Sequence, residues 1–231
     1  MSATNRGSTR HKDDFYETPG WCTEALMPHL ECYLMGKAKP QFLEPAAGSG
    51  AVMRVVDNYF DPGDRLHGID INPRMRGVKA GDFLQIPPVP EYDVIITNPP
   101  YSLALEFVQR ALEWRRDEYS IVAMLLRVNF LGSRKRAKWL RDHPPRLHVT
   151  PRRPCFTGDG KTDATEYAWF VWKEPFPEFS EIVILDTEDL ATRSRKKKKS
   201  QTEDERKRKA LAKIKLRRQI ERRKKEAAMS F

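Results

Sequence analysis

A doubly wound, mostly parallel α/β sheet with helices on both faces is the fold class that this sequence predicts. Short apolar runs alternate along the chain with amphipathic helical ones. Residues 119–128 are nearly continuous in apolar character, as expected of a strand covered on both faces of a parallel sheet. The 231 residues can bury one good core, and a second domain of ordinary size does not fit beside it.

Residues 1–14 are polar and expected to be disordered. Trp21, Ala25, Leu26, Leu30, Tyr33 and Leu34 recur at helical spacing, so residues 21–35 predict a helix that starts after Thr18-Pro19. Residues 41–44 predict a strand, 51–59 a helix and 65–69 a second strand, and Gly81-Asp82-Phe83-Leu84 stands at the end of a third. Residues 92–97 read as another strand, followed by an amphipathic helix carrying Leu103, Leu105, Phe107, Val108, Ala111, Leu112 and Trp114. After the apolar strand comes a basic helix over 133–141. Residues 146–149 and 167–172 predict the last two strands, and the strand-like 182–185 closes the domain. The organisation is then a folded domain over 15–185, a linker over 186–202 and a basic helical tail over 203–231. In the tail Leu211, Ile214, Leu216 and Ile220 are too sparse to form a continuous stripe, which makes it a solvated helix.

No run of eighteen apolar residues occurs, and the polar first twelve residues lack the apolar stretch of a secretory signal. A soluble protein of the cytoplasm, with no membrane partner, is the expectation. Cys22, Cys32 and Cys155 form no Cys-x-x-Cys pair and lie far from the histidines, so neither a disulfide framework nor a metal site is expected. Buried free thiols are the reading for all three. The net charge of +10 is unevenly placed. Residues 191–231 hold 18 Lys/Arg against 5 Asp/Glu, a net of +13, leaving 24 against 27, a net of −3, in residues 1–190. The basicity is an appendage on a nearly neutral domain.

Asn98-Pro99-Pro100-Tyr101 follows directly on the strand over 92–97. Two consecutive prolines fix the backbone and remove two N–H donors where an open α/β sheet places its ligands. The Asn98 side-chain oxygen and the Pro99 carbonyl can then both accept hydrogen bonds from one planar NH2 group, while Tyr101 offers a ring face to a base. A proline-stiffened strand end with an exposed tyrosine would read the same in isolation. Upstream, Glu44-Pro45-Ala46-Ala47-Gly48-Ser49-Gly50 joins the first strand to a helix, and its glycines permit a sharp turn and close approach of a ligand to free N–H groups. Position 53 is Met, so the dinucleotide-binding pattern Gly-x-Gly-x-x-Gly is not met. Asp70, at the next strand end, can accept from both hydroxyls of a ribose. Asp82 can accept from an adenine amine and Phe83 can pack on the ring, although a loop acid and a core aromatic look alike here. These four sites fall at successive strand ends on one edge of the sheet, which points to an adenosine cofactor.

With those residues in place the sequence resembles the amino-methylating class I S-adenosylmethionine-dependent methyltransferases, most closely the N6-adenine DNA methyltransferases of bacteria and their phages. The resemblance covers roughly residues 13 to 173 and implies a Rossmann-like fold for the domain. Asp14-Phe15-Tyr16-Glu17-Thr18-Pro19 looks like the N-terminal cofactor motif, residues 44–50 the glycine motif and residues 98–101 the catalytic motif, in the order of the unswapped subgroup. By that resemblance Tyr16, Thr18 and Glu44 line the methionine end of S-adenosylmethionine, with Pro45, Ala47, Gly48 and Gly50 in the glycine turn. Asp70 takes the ribose, and Asp82 with Phe83 the adenine. Asn98, Pro99, Pro100 and Tyr101 are the implied catalytic set.

A target adenine inside a duplex must be extruded before it can react, and Tyr101 is the candidate stacking face. Phe156 is a second candidate for the opposite face, with a loop-anchoring aromatic as the alternative. Arg134, Lys135, Arg136, Lys138 and Arg141 follow the fifth strand, and Arg152 and Arg153 flank the presumed target loop; they either contact phosphates or are solvated charges. Nucleic acid, DNA ahead of RNA, is the expected partner, and the tail adds nonspecific electrostatic binding. Only about seventeen residues, 150–166, separate the last two predicted strands, too few for a separate recognition domain, so relaxed or short sequence specificity follows. RNA adenine and protein glutamine methyltransferases share the tetrapeptide and are the rival readings. A nonenzymatic nucleic-acid binder that keeps the fold is the rival of another class.

Overall fold

The first strand, β1 (Phe42–Glu44), is fully buried between two parallel neighbours, β2 (Leu66–Asp70) and β4 (Val94–Thr97). β3 (Lys79–Ala80) extends the sheet beyond β2, and β5 (Ile121–Arg127) pairs parallel with β4. β7 (Tyr167–Trp172) then inserts antiparallel between β5 and β6 (Arg146–Val149), and β8 (Ile182–Ile184) runs parallel to β6 at the edge. The order is β3-β2-β1-β4-β5-β7-β6-β8. This computed structural model describes residues 17–34, 36–156, 162–175 and 181–184. The N-terminal segment 1–14, the linker and the basic tail lie outside the described residues, as does Tyr16.

The sheet is the doubly wound, mostly parallel α/β arrangement expected from the sequence. β1, β4, β5 and β7 are buried almost throughout, which explains why their sequences are apolar runs rather than alternating ones. Helix α3 (Ala51–Phe60) turns Val52, Met53, Val55 and Val56 inward, and α4 (Ala104–Glu113) turns Ala104, Phe107, Val108 and Ala111 inward. Both follow the helical period.

Two predicted helices change. Residues 21–35 divide into α1 (Gly20–Glu24) and α2 (Met27–Tyr33). Pro28 causes the break: it has no N–H for the Glu24 carbonyl and its ring crowds that carbonyl, yet it fits the first turn of a new helix. The basic helix is shorter than predicted, α5 spanning Ala137–Asp142, with residues 134–136 in a turn before it. The thiols also differ from expectation. Cys22 is buried, but Cys155 is half-buried and Cys32 is exposed, because it faces outward from α2.

At the N-terminal ends of β1, β4 and β5 the charged side chains are spent on one another. Lys37 bridges Asp93 and Asp117, Arg116 pairs with Asp93, and Asp93 also accepts the Gln41 N–H. The opposite, C-terminal edge carries the cavity described below.

On β6, His148 is buried against α2, its ring 4.7 Å from His29 and its Nε2 3.1 Å from the Tyr33 hydroxyl. Burial, with help from His29 and Arg146, lowers its pKa to about 4. The unfolded chain therefore binds the proton first, so the stabilisation is complete above pH 6.5 and is lost as pH falls from there toward 4. The contribution at stake is roughly 3 kcal/mol. Urea unfolding at pH 7, 5.5 and 4.5 should show a steeper acid loss for the native chain than for His148→Phe; parallel curves would remove His148 from the account.

Candidate active site

β1, β2, β3 and β4 all end at one edge, and a cavity of about 320 Å³ opens across those four ends. That volume lies in the range of small-molecule sites, about 300 to 1,000 Å³. Its wall includes Thr18, Glu44, Pro45, Ala47 and Gly48 together with Asp70, Asp82, Phe83, Asn98 and Pro100. Sequence reasoning named all of these. Gly50, Pro99 and Tyr101 adjoin lining residues in sequence without being among them.

Glycine is required at the turn after β1. Gly48 and Gly50 both have positive φ, and a Cβ on Gly50 would lie 1.9 Å from the Met75 sulfur. Asp70 holds the turn in place: its Oδ2 accepts the Gly48 N–H at 2.7 Å and its Oδ1 accepts the Asn72 N–H at 2.7 Å. The Arg74 N–H in turn donates to the Gly48 carbonyl. A carboxylate has about four acceptor positions, so two backbone bonds leave capacity for a ligand's hydroxyls.

Glu44 is 3 % exposed, and its Oε2 accepts the Met53 N–H at 3.0 Å. Burial pushes its carboxyl well above the usual range, Asp70 acts in the same direction, and the Met53 bond and Arg54 oppose it. The segment before α1 closes over this end. Glu17 accepts from the Ser49 hydroxyl and pairs with Arg54 at 3.2 Å, which fastens the segment to the glycine turn.

At the end of β4 the Asn98 Nδ2 donates to Thr18 Oγ1 at 3.0 Å. In that arrangement the amide oxygen is left as the acceptor. Pro99 is buried beside it and Pro100 lines the cavity.

The predicted aromatic platform has a different surrounding from the one expected. The Tyr101 ring lies 5.7 Å from Tyr167 and 5.0 Å from the Arg127 guanidinium carbon, and burial pushes its hydroxyl well above the usual phenol range. Phe156 packs edge-on against Tyr167 at 5.2 Å. Both candidate stacking rings thus lean on Tyr167, whose hydroxyl donates to Asp163 and accepts from Arg127. Phe83 lines the cavity. It is 1 % exposed and its ring packs on Phe107 and Trp114, so it forms the floor of the cavity. The apolar surface offered there is Ile71, 64 % exposed directly after Asp70. Its only signal in the sequence was an apolar residue in a polar turn.

Among the basic candidates, Arg136 donates to the Phe130 carbonyl and lies over the Phe130 ring, and Arg153 is paired with Glu166. Those two are tied to the protein's own groups. Arg134, Lys135, Lys138, Arg141 and Arg152 are exposed.

Among solved structures, the chain is similar to a class I S-adenosylmethionine-dependent methyltransferase assigned in Listeria monocytogenes. The two share 13 % identity at a TM-score of 0.59, over 78 % of this chain and 68 % of that one. This chain has the class I methyltransferase fold. It is also similar to a type I restriction-modification methyltransferase subunit from Streptococcus thermophilus, with 12 % identity, a TM-score of 0.54 and coverage of 69 % and 45 %. A type I restriction enzyme modification subunit assigned in Vibrio vulnificus gives 14 %, 0.52, 71 % and 45 %. The chain spans under half the length of these two subunits. At such identities the likeness is one of fold. No protein-family model matches the chain, and no curated protein matches it.

Proposed function

We propose that this protein transfers a methyl group from S-adenosylmethionine to the N6 amine of adenine in DNA, with relaxed or short sequence specificity. The observation that carries the reading is the position of Asn98. Its amide, hydrogen-bonded to Thr18, stands in the wall of the cavity at the end of β4, beside two prolines. The cavity fits the cofactor by its donor set. Asp70 and Asn72 suit a ribose, Ile71 and the Phe83 floor suit a purine, and the buried acid Glu44 suits a cation.

The cofactor supplies a methyl group on a positively charged sulfur, a strong donor, so the protein's own task is alignment. Asn98 and the Pro99 carbonyl accept the two hydrogens of the target amine. That grip favours a pyramidal nitrogen and stabilises the positive charge that develops on it. With the cofactor bound, the amine nitrogen would take the methyl as the carbon–sulfur electron pair stayed on sulfur, and the amine proton would leave afterwards to solvent. No general base is needed before transfer.

DNA is favoured by the exposed Arg134, Lys135, Lys138 and Arg152 and by the sequence of the tail. The likeness to two restriction-modification subunits adds to it. Among the described residues no helix is long and apolar enough to cross a membrane. Incubation with methyl-labelled cofactor and, separately, DNA, RNA and a protein extract tests the reading. Label recovered as N6-methyladenine from digested DNA is the expected product. Label confined to RNA or to glutamine would replace the substrate, and no transfer to any of the three would favour a nonenzymatic binder.

A further inference from the structure

The cavity wall is unequal in charge. Glu17, Glu44, Asp70 and Asp82 face it against a single guanidinium, Arg74. Each of the four carboxylates has a partner in the protein, Glu44 the Met53 N–H. Glu17 is paired with Arg54, Asp70 accepts two backbone N–H groups, and Asp82 accepts the Leu84 N–H at 3.0 Å. Glu44 is the most deeply buried of them, and no ion pair to it is found among the described residues.

Strand order makes its position informative. β1 lies directly beside β4, so Glu44 and Asn98 stand at adjacent strand ends, with strand axes about 5 Å apart. Asp82, past β3, is three strands away from β4. Whatever reacts at Asn98 therefore has Glu44 as its nearest carboxylate by strand order.

Resting on the cofactor reading above, we infer that Glu44 is a specificity residue that distinguishes the methyl-donating cofactor from its spent form. The donor carries a positive sulfur and the product a neutral thioether; the amino-acid and adenosine parts are the same. One opposite charge a few ångströms away is worth well over tenfold in affinity at the effective dielectric of a protein site, and removal of the Glu44 proton offsets much of that, leaving about tenfold. Asp70, Glu17 and Asp82 reinforce the preference and Arg54 and Arg74 oppose it, but only Glu44 is withdrawn from water. Loss of the charge on methyl transfer then loosens the product, so a protein of this design resists inhibition by its own spent cofactor.

The same arrangement couples binding to protons. Burial holds the Glu44 proton on in the free protein, a nearby cation drives it off, and a neutral ligand leaves it in place. Preference for the donor accordingly rises with pH, and the ligand's own amino group cancels in the comparison because both forms carry it.

Calorimetry on the full chain decides the matter with three ligands: S-adenosylmethionine, S-adenosylhomocysteine and sinefungin, whose ammonium replaces the methylated sulfur. At pH 8 the two cations should bind about tenfold tighter than the thioether, with a smaller gap at pH 6. Titrations in two buffers of different ionisation enthalpy should register extra proton release for the cations alone. Glu44→Gln keeps an acceptor for the Met53 N–H and should bring the three dissociation constants within about twofold. Equal affinities in the native chain overturn the inference, and so does a preference that survives Glu44→Gln. Should that variant not fold, equal proton release for all three ligands on the native chain is the overturning result. Failure of all three to bind would instead remove the cofactor reading, and this inference with it.

Discussion

Asn98→Ala should lower methyl transfer by two orders of magnitude or more while cofactor affinity stays nearly unchanged, as expected of a group that acts mainly in the transition state. In the ground state Asn98 makes a side-chain bond to Thr18, on the short segment that also bears Glu17. Losing that bond loosens one corner of the cavity, while the glycine turn, Asp70 and Glu44 keep their own partners. The acceptor oxygen matters more. Without it the target amine keeps its lone pair delocalised into the ring, and its developing charge meets no fixed dipole. Single-turnover transfer at saturating cofactor, beside calorimetric titration of the cofactor, separates the two contributions. An equal fall in transfer and in cofactor affinity would mean that Asn98 belongs to the cofactor site instead.

The sequence was most legible where local chemistry dictates the backbone. Gly48 and Gly50, Asp70, Asp82 and Asn98 were placed at consecutive strand ends because strands, turns and their spacing are written in neighbouring residues. The sheet order brings those ends side by side around one cavity. Pro28 is equally local, but the apolar residues keep helical spacing on both sides of it and hide the break. Partners distant in sequence left no such mark. Glu17 meets Ser49 and Arg54 over more than thirty residues, and Tyr167 meets Tyr101 and Phe156 only because β7 inserts beside β5. Arg136 and Arg153 looked like the other basic residues in the sequence; only the positions of Phe130 and Glu166 distinguish them. Phe83 went to the floor because Phe107 and Trp114 arrive on the next helix to cover it, leaving Ile71 as the exposed apolar surface.

The second large effect is expected at Asp70, whose alanine variant should bind the cofactor roughly 100-fold more weakly, a loss assembled from two sources. One is internal. The carboxylate bonds the Gly48 and Asn72 N–H groups at 2.7 Å each, and the Gly81 N–H donates to the Asp70 carbonyl, so this residue joins the glycine turn to the loop beyond β2. Charge-assisted bonds of this kind contribute about 1.5 to 3 kcal/mol. Releasing them lets a turn with two positive-φ glycines relax away from the ligand's approach. The other source is direct contact with the ribose hydroxyls. Asn is no gentler a substitute, since its NH2 would face one of the two N–H donors. The two sources separate in a cycle with S-adenosylhomocysteine and its 2′,3′-dideoxy analogue. The native chain should bind the analogue more weakly, and in Asp70→Ala that difference should vanish while the internal loss remains. Unchanged affinity in the variant would deny Asp70 any part in the site. A hydroxyl preference that persists without it would leave the carboxylate only its scaffold role and move the ribose to other partners.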